Sequence, residues 1–293
     1  MCRARVHARM RLAFTSDIHI DINGEPVLDA LVARVREVSP DVLLLAGDIA
    51  TGAKTFLGTL LALKPHVPHL LVTAGNHDVW SSRDAVARGI DAWAWLDKLL
   101  PALTHEAGGH FLDAGPLRIG NTGFAGSLGW YDLTMREHVL DAPPEAYATG
   151  RWGGLKWNDF EYAIWTGDDG KPMTYPAVAE RLRERLSGHM RALDAPRLVV
   201  ATHVLAFEQQ VHRKEHPGWR FVNAFMGSLP LGQLIRSDPR VVLHIAGHTH
   251  IGSDLRIGRL RAVVSPLGYR GEWKGGTPAE AVARALTVVE LAD

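Results

Sequence analysis

The sequence predicts an α/β protein because short apolar segments, typical of strands, alternate with amphipathic segments, typical of helices. The strand segments are nearly continuous in apolar residues, which is the pattern of strands that are buried on both faces. Each of the five clearest ones ends in a polar cluster of Asp, Asn, His or Gly residues. No internal repeat or clear linker divides the chain of 293 residues, so we predict a single domain over residues 10–293.

The five predicted strands place their polar clusters where a ligand would bind. In an open α/β sheet, ligands bind beyond the carboxyl ends of the strands, so clusters that are far apart in sequence can converge there. The strands and the residues that follow them are Arg11–Ser16 before Asp17 and His19, Val42–Ala46 before Asp48, His69–Thr73 before Asn76 and His77, Leu198–Thr202 before His203, and Val241–Ala246 before His248 and His250.

Helices are predicted between these strands. Pro26–Val38 carries apolar side chains at three- and four-residue spacing, which forms one apolar helix face. Asp84–Leu100 and Val178–Leu193 also have helical patterns, and Leu229–Ile235 follows Ser228, a favourable residue for a helix N-cap. The alternation of strand and helix indicates an α/β sheet.

The C-terminal part of the chain has a different pattern. Leu255–Ile257 and Leu260–Val264 flank a turn at Gly258-Arg259, and Ala285–Leu291 is a third apolar segment of similar length. We therefore predict a run of antiparallel strands in this part of the chain.

Two regions fit neither pattern. Residues 1–9 are predicted to be a loose N-terminal tail, and the sequence leaves open whether translation starts at Met1 or Met10. Residues near 129–176 are rich in Gly, Pro and Trp and are interpreted as an irregular insertion or edge excursion. The tryptophans either pack this segment or form an aromatic wall for a nucleobase or sugar, and they are Trp130, Trp152, Trp157 and Trp165.

Charge and cysteine content argue against several classes of function. Lys and Arg together number 32, as do Asp and Glu, so long nucleic acids and polybasic membrane contacts are not expected. Cys2 is the only cysteine, which excludes an intramolecular disulfide and a zinc site with several thiolates. We find no signal-peptide pattern and no apolar run of roughly 20 residues, so we expect a cytoplasmic protein without a membrane partner.

The polar clusters offer carboxylate, amide and imidazole groups and no sulfur. This mixture suits Mn, Fe or Zn better than Ca, and it does not match a cysteine-type zinc site. Seven ligands are too many for one transition metal that keeps an open position, whereas they suit two metals that share a carboxylate. The candidate ligands are Asp17, His19, Asp48, Asn76, His203, His248 and His250.

The order of these motifs resembles the calcineurin-like metallophosphoesterase superfamily. The motifs are D-x-H at residues 17–19, G-D at 47–48, G-N-H-D at 75–78, a single His at 203 and G-H-x-H at 247–250. Each motif alone is weak, because Asp and Gly are common in turns and a lone His often only packs, but the ordered set is specific. The resemblance implies a four-layer α/β/β/α sandwich.

The resemblance also implies a role for each motif residue. Asp48 would bridge two metals, His77 would be a general acid facing the leaving group, and a metal-bridged hydroxide would be the nucleophile. Many relatives have Asp or Asn, which helps to orient this His, where this chain has Thr51, which has a hydroxyl but no carboxylate. The remaining implied ligands are Asp17, His19 and His250 for the first metal, and Asn76, His203 and His248 for the second.

The function that this resemblance implies is hydrolysis of a phosphomonoester or phosphodiester of a small molecule. The implied cofactors are two metal ions, divalent or of mixed valence, and Mn, Fe or Zn are the expected elements. Two other interpretations remain: a catalytically silent interaction scaffold of the same fold, and a metal-dependent hydrolase of bonds other than phosphate esters. The filled positions of all seven ligands and His77 argue against the scaffold.

Overall fold

Residues 9–292 are described by the computed structural model, and most of their strands belong to two sheets that pack face to face. The segments alternate as predicted, and the five predicted strands are all present within two residues of the expected bounds. The strands are β1 Arg9–Thr15, β2 Val42–Ala46, β3 His69–Thr73, β4 His110–Phe111, β5 Leu117–Ile119, β6 Thr122–Ser127, β7 Arg151–Trp152, β8 Leu155–Lys156, β9 Arg197–Thr202, β10 Val241–Ala246, β11 Ser253–Ile257, β12 Leu260–Val264 and β13 Thr287–Ala292.

The helices cover the outer faces of these sheets. Short 3-10 turns occur at Lys64–His66, His77–Val79, Glu208–Gln210, Asn223–Phe225 and Arg270–Glu272. The α-helices of the described residues are α1 Ile20–Asn23, α2 Glu25–Val38, α3 Ala53–Leu63, α4 Arg83–Ala87, α5 Ala92–Ala94, α6 Leu100–Glu106, α7 Pro144–Thr149, α8 Asp159–Tyr162, α9 Tyr175–Ala192, α10 Pro217–Val222, α11 Leu229–Ser237 and α12 Pro278–Ala285.

The two large sheets have mainly parallel neighbours. The first sheet has the order β13-β1-β2-β3-β4, in which only β13 is antiparallel to its neighbour. The second has the order β11-β12-β10-β9-β6-β5, and its antiparallel pairs are the two outermost. Strands β7 and β8 form a separate small hairpin. The parallel centre of each sheet gathers the carboxyl ends of its strands along one edge.

The fold has four layers, in the order α/β/β/α. Leu12 and Leu44 of the first sheet share a buried apolar cluster with Phe124, Val199 and Ile245 of the second. The other faces of the sheets belong to a second cluster, which includes the apolar faces of α2, α3, α9 and α11. The predicted four-layer sandwich is therefore confirmed. None of the described helices is both long and apolar enough to cross a membrane.

One predicted helix was wrong in its extent. Asp84–Leu100 is not continuous: α4 ends at Ala87, and Gly89 follows with a φ of 80°. Asp91 then caps a new helical segment, which passes through a π-helical turn at Trp95–Leu99 into α6. Glycine adopts a positive φ at little cost, and a residue in that conformation interrupts a regular helix. The helical pattern is therefore real but belongs to two separate segments.

The ends of the chain also differ from expectation. Arg9, which was assigned to the N-terminal tail, begins β1 and pairs with Ala292, while residues 1–8 of that tail lie outside the described residues. The β11–β12 hairpin is confirmed around Gly258. The third predicted strand does not join that hairpin, because α12 carries the chain across to the edge of the first sheet, where β13 pairs with β1.

Candidate metal centre

All seven candidate ligands converge at one place between the two sheets. The first sheet supplies four of them, from the loops after β1, β2 and β3, and the second sheet supplies three, from the loops after β9 and β10. Five of the seven are almost completely buried, with exposed fractions of 3% or less. Buried carboxylates and imidazoles at this density require compensation by hydrogen bonds or by a bound cation.

The seven side chains form two groups that meet at Asp48. In the first group, the Nε2 atom of His19 lies 3.6 Å from the Oδ2 atom of Asp48, and the Nε2 atom of His250 lies 3.4 Å from the Oδ1 atom of Asp17. These four residues offer ligand atoms that all lie within 4.8 Å of one another. Asp48 thus belongs to a set of donors compact enough for one ion.

The second group is centred on the side-chain oxygen of Asn76. That Oδ1 atom lies 3.0 Å from the Nε2 atom of His203 and 3.0 Å from the Nδ1 atom of His248. His203 also approaches Asp48, with 3.3 Å between its Nε2 atom and Oδ2 of the carboxylate. Asp48 therefore lies next to both groups, as a bridging ligand would.

Backbone strain is concentrated at the same residues. Among the described non-glycine residues, seven have a positive φ, and five of these are candidate ligands. Such a conformation is uncommon for residues with a Cβ atom, and it persists where the surrounding structure holds it in place. The five strained ligands are Asp17, His19, Asp48, His248 and His250, with φ between 42° and 73°.

Three of the four histidine rings are fixed by acceptors on the side away from the cluster, while Nδ1 of His19 has no hydrogen-bond partner among the described residues. The Nδ1 atom of His250 lies 2.7 Å from Oε2 of Glu272, and the Nδ1 atom of His203 lies 2.9 Å from the carbonyl oxygen of Ala46. His248 uses its other nitrogen, Nε2, to contact the carbonyl oxygen of Phe225 at 2.9 Å. Each of these acceptors selects the tautomer that leaves the nitrogen facing the cluster free to bind a metal.

A cation fits this arrangement of donors. The Nε2 atoms of His19 and His250 face each other at 3.2 Å, and Oδ2 of Asp48 approaches the same region. Burial lowers the pKa of His19 to about 4, so its ring stays neutral at physiological pH. Burial would raise the pKa of Asp17, but its hydrogen bond with His250 lowers it to about 2. Ionised carboxylates and a neutral imidazole are the forms that bind metals.

His77 lies beside the cluster without belonging to it. Its backbone N–H donates to Oδ1 of Asp48 at 2.9 Å, while its half-buried ring lines the adjoining cavity. The ring stacks on Trp80 with 3.8 Å between centroids and meets the edge of His19 at 4.8 Å. Among the described residues, Thr51 makes no hydrogen bond to the His77 side chain, and the ring instead contacts Trp80 and His19.

Asp78 joins the two loops that carry Asp48 and Asn76. Its carboxylate accepts hydrogen bonds from the backbone N–H groups of Asp48, Ile49, Ala50 and Gly75, at 2.7–3.0 Å. Gly75 has no alternative at this point, because a Cβ atom there would collide with Asp48. The fourth residue of the G-N-H-D motif is therefore a structural support for the site.

Two acidic residues near the site were missed by sequence reasoning. Glu272 contacts His250, and Asp159 accepts a hydrogen bond from the amide of Asn76 at 3.0 Å. Neither has a local sequence signal: Glu272 lies 22 residues after His250, and Asp159 begins a short helix inside the irregular segment. Only the tertiary structure brings them to the cluster.

A cavity of about 370 Å³ opens beside the two groups of ligands, and aromatic rings form much of its wall. Trp157 lines it, but the other predicted wall residues do not: Trp130 and Trp165 are buried in the core, and Trp152 packs against Phe221. The tryptophans of the wall are Trp80, Trp157 and Trp219, and the ring of Tyr269 also lines the cavity. Of the three tryptophans that line the cavity, the sequence pattern identified only Trp157.

Comparison with known proteins identifies the family of this chain. The sequence model of the calcineurin-like phosphoesterases matches residues 10–252, which is most of the chain. The chain belongs to that family. No curated protein matches the chain. The predicted resemblance is thus confirmed at the level of the family.

Solved structures share the fold at low sequence identity. A phosphopantetheinyl hydrolase from Mycobacterium tuberculosis has a TM-score of 0.71 at 18% identity, over 97% of both chains. The protein TT1561 of Thermus thermophilus has a TM-score of 0.51 at 15% identity, over 96% of this chain and 99% of that one. A dimetal phosphatase from Danio rerio has a TM-score of 0.51 at 13% identity, over 97% of this chain and 93% of that one.

Proposed function

We propose that this member of the calcineurin-like phosphoesterase family hydrolyses a phosphate ester of a small molecule with the help of two bound metals. The observation that carries the proposal is the convergence of the seven candidate ligands into two groups that share Asp48. Family membership supports a hydrolase, and the adjoining cavity of about 370 Å³ supports a small substrate.

The ligand sets follow from the two groups. Asp48 is the shared ligand, and Mn, Fe or Zn suits the mixture of oxygen and nitrogen donors. When bound, such a pair of metals acidifies a water molecule and neutralises charge on the phosphate. The proposed ligands are Asp17, His19, Asp48 and His250 for one metal, and Asp48, Asn76, His203 and His248 for the other.

His77 is the proposed general acid of the reaction. Its ring lines the cavity, next to the ligands, and it is partly exposed to solvent. The stack on Trp80 holds the ring in one plane, so a ring nitrogen can be presented to the leaving oxygen of a substrate in the cavity. Proton donation to that oxygen would let it leave as a neutral alcohol instead of an alkoxide when the bond between phosphorus and oxygen breaks.

The cavity walls favour an ester with an apolar or planar organic group. Trp80, Trp157 and Trp219 face the cavity, together with Met226 and Ile251. Lys156 is the only Lys or Arg among the described residues that line it, and it forms an ion pair with Glu161. A molecule with several phosphates would need more cationic partners than this wall supplies.

The test is hydrolysis of bis(p-nitrophenyl) phosphate and p-nitrophenyl phosphate by metal-free protein to which Mn, Fe, Zn or Mg is restored. An ester of phosphopantetheine is assayed as well, since one structural neighbour is named as a phosphopantetheinyl hydrolase. Metal-dependent turnover that is lost in an Asp48→Asn variant supports the proposal. Two bound metals without turnover of any ester would favour the silent scaffold, and failure to bind metal would overturn the proposed centre.

A further inference from the structure

The irregular segment between β6 and α9 places a carboxylate beside the candidate metal centre. Asp159 is 1% exposed and begins α8. Its carboxylate accepts from the Nδ2 atom of Asn76 at 3.0 and 3.3 Å, from Nε1 of Trp80 at 2.5 Å and from the hydroxyl of Tyr131 at 2.5 Å. Three neutral donors thus converge on one buried acid.

The orientation of the Asn76 amide depends on this acceptor. An amide offers an oxygen acceptor at one corner and an NH₂ donor at the other, and the two have nearly the same shape. A carboxylate accepts only, so it draws the NH₂ group toward itself and turns the oxygen toward His203 and His248. Only the oxygen can bind a metal, so the wrong orientation would remove Asn76 from the ligand set.

The same carboxylate also reaches the proposed general acid through one intermediate residue. Trp80 donates its indole N–H to Asp159, and its ring stacks on His77 with 3.8 Å between centroids. Tyr131 donates to the other oxygen of Asp159 and itself accepts from Nε1 of Trp157 at 3.0 Å. The rotamer of Asp159 is therefore fixed from two sides.

We propose that Asp159 is a positioning residue that orients Asn76 for metal binding and holds Trp80 against His77. The inference rests on the proposed function, since it concerns the second group of ligands and the proposed general acid. It also assigns a role to the irregular segment. Asp159 belongs to that segment and lies outside the five ordered motifs, yet it would support the ligands that those motifs supply.

The test is an Asp159→Asn variant, studied first by metal binding rather than by activity. Removal of a residue that supports a metal ligand typically lowers metal affinity by about 10- to 100-fold. We expect the variant to retain one Mn per chain after dialysis where the unaltered protein retains two, as measured by mass spectrometry of the metal content. Excess Mn should restore much of kcat, which a general loss of structure would not allow.

The matched control is Asp91→Asn. Asp91 accepts from the backbone N–H groups of Ala94 and Thr166, so it too ties the irregular segment to the rest of the fold, but it does not contact the candidate ligands. This variant should retain two Mn per chain. If Asp159→Asn binds two Mn with unchanged affinity and unchanged kcat, the positioning role is overturned while the proposed function stands.

A second variant keeps the test decisive if Asp159→Asn does not fold. Tyr131→Phe leaves the carboxylate in place and removes one of its three donors. We expect a smaller decrease in Mn affinity, and no decrease would overturn the role. If the unaltered protein itself binds no metal, the proposed function is wrong. This result differs from failure of the positioning role, in which the unaltered protein and the variants bind metal equally well.

Discussion

Backbone strain at the scale of single residues marks the site more clearly than burial does. Five candidate ligands adopt a left-handed backbone conformation, whereas buried polar residues are spread over the whole described chain. Such strain costs on the order of 1–3 kcal/mol per residue and is kept where the surroundings enforce it. His77 has no such strain and is instead held by stacking on Trp80. Asn76 and His203 also lack a positive φ, so this strain marks five of the seven proposed ligands.

We predict that His77→Ala lowers kcat by about 10²- to 10⁴-fold, the range that general acid catalysis contributes. Two metals per chain should remain bound, because the His77 side chain is not among the proposed ligands. The measurement is steady-state hydrolysis of the best ester, with metal content determined on the same sample. His105→Ala, on the exposed end of α6, is the control and should have unchanged kcat. Unchanged kcat in His77→Ala would remove the residue from the mechanism.

His244 provides a second prediction at this scale, for stability rather than activity. It is fully buried in β10, and burial lowers its pKa from 6.5 to about 3. Its Nε2 atom lies 2.9 Å from the Thr202 hydroxyl, while Nδ1 has no hydrogen-bond partner among the described residues. An added proton on Nδ1 would be buried without an acceptor, so the folded protein stays unprotonated there.

The unfolded chain takes up this proton as the pH falls below 6.5, whereas the folded protein takes it up only near pH 3. The free energy of unfolding should therefore decrease by about 2 kcal/mol between about pH 7 and about pH 5. The measurement is urea unfolding of metal-free protein at both pH values, compared with His244→Gln, which cannot titrate. Other histidines contribute equally to both proteins, so equal pH dependence of the two would contradict the prediction.

At the scale of elements, the loops after β2 and β3 form one unit. Asp78 accepts four backbone hydrogen bonds from these two loops, and Gly75 packs directly against Asp48. The loops after β9 and β10 complete the site from the other sheet. The distance between the ligands is thus set by how closely these loops pack.

We predict that Gly75→Ala disrupts both metal binding and folding. The added Cβ would meet the Asp48 carboxylate and backbone, which are held in place by Asp78, so the loop must shift. A loss of stability of about 1–3 kcal/mol is typical of such overpacking. The matched control is Gly58→Ala in α3, where the Cβ would meet open space and should stabilise the helix by about 0.5–1 kcal/mol. Thermal unfolding and Mn content distinguish the two variants.

The sequence predicted the elements that carry local signals and missed those that depend on distant contacts. The five strands and their polar clusters were predictable because buried parallel strands are continuously apolar and because the polar residues directly follow them. The break at Gly89 was missed because the helical periodicity resumes after it. Asp159 and Glu272 were missed because only the folded chain brings them into contact with Asn76 and His250.

At the scale of the whole molecule, the candidate centre lies at the junction of two sheets. Neither sheet alone supplies all seven candidate ligands. The first sheet contributes both carboxylates, the amide and His19, and the second contributes the other three imidazoles. A metal bound there would hold the two sheets together. Ligands that bind only the folded state stabilise it by mass action.

We predict that Mn stabilises the folded protein strongly. At a free concentration of about 100 times Kd, one bound ion adds about 2.7 kcal/mol to the free energy of unfolding. The midpoint of thermal unfolding should therefore increase with Mn and decrease again with a chelator. Asp48→Asn, which removes charge from the shared ligand, should show a much smaller increase. An equal increase in both proteins would indicate that Mn binds elsewhere.

The pairing of β13 with β1 has a consequence for how the protein is made. During synthesis, Asp17, Asp48 and Asn76 leave the ribosome long before His203, His248 and His250. Throughout that interval β1 also lacks the neighbour that covers its outer edge. A nascent chain therefore carries the acidic half of the proposed centre on an incomplete sheet, and the proposed set of ligands is complete only after residue 250 has emerged. Chains that stop earlier should neither retain metal nor resist proteases, because they lack imidazoles of the proposed centre and leave the edge of β1 open.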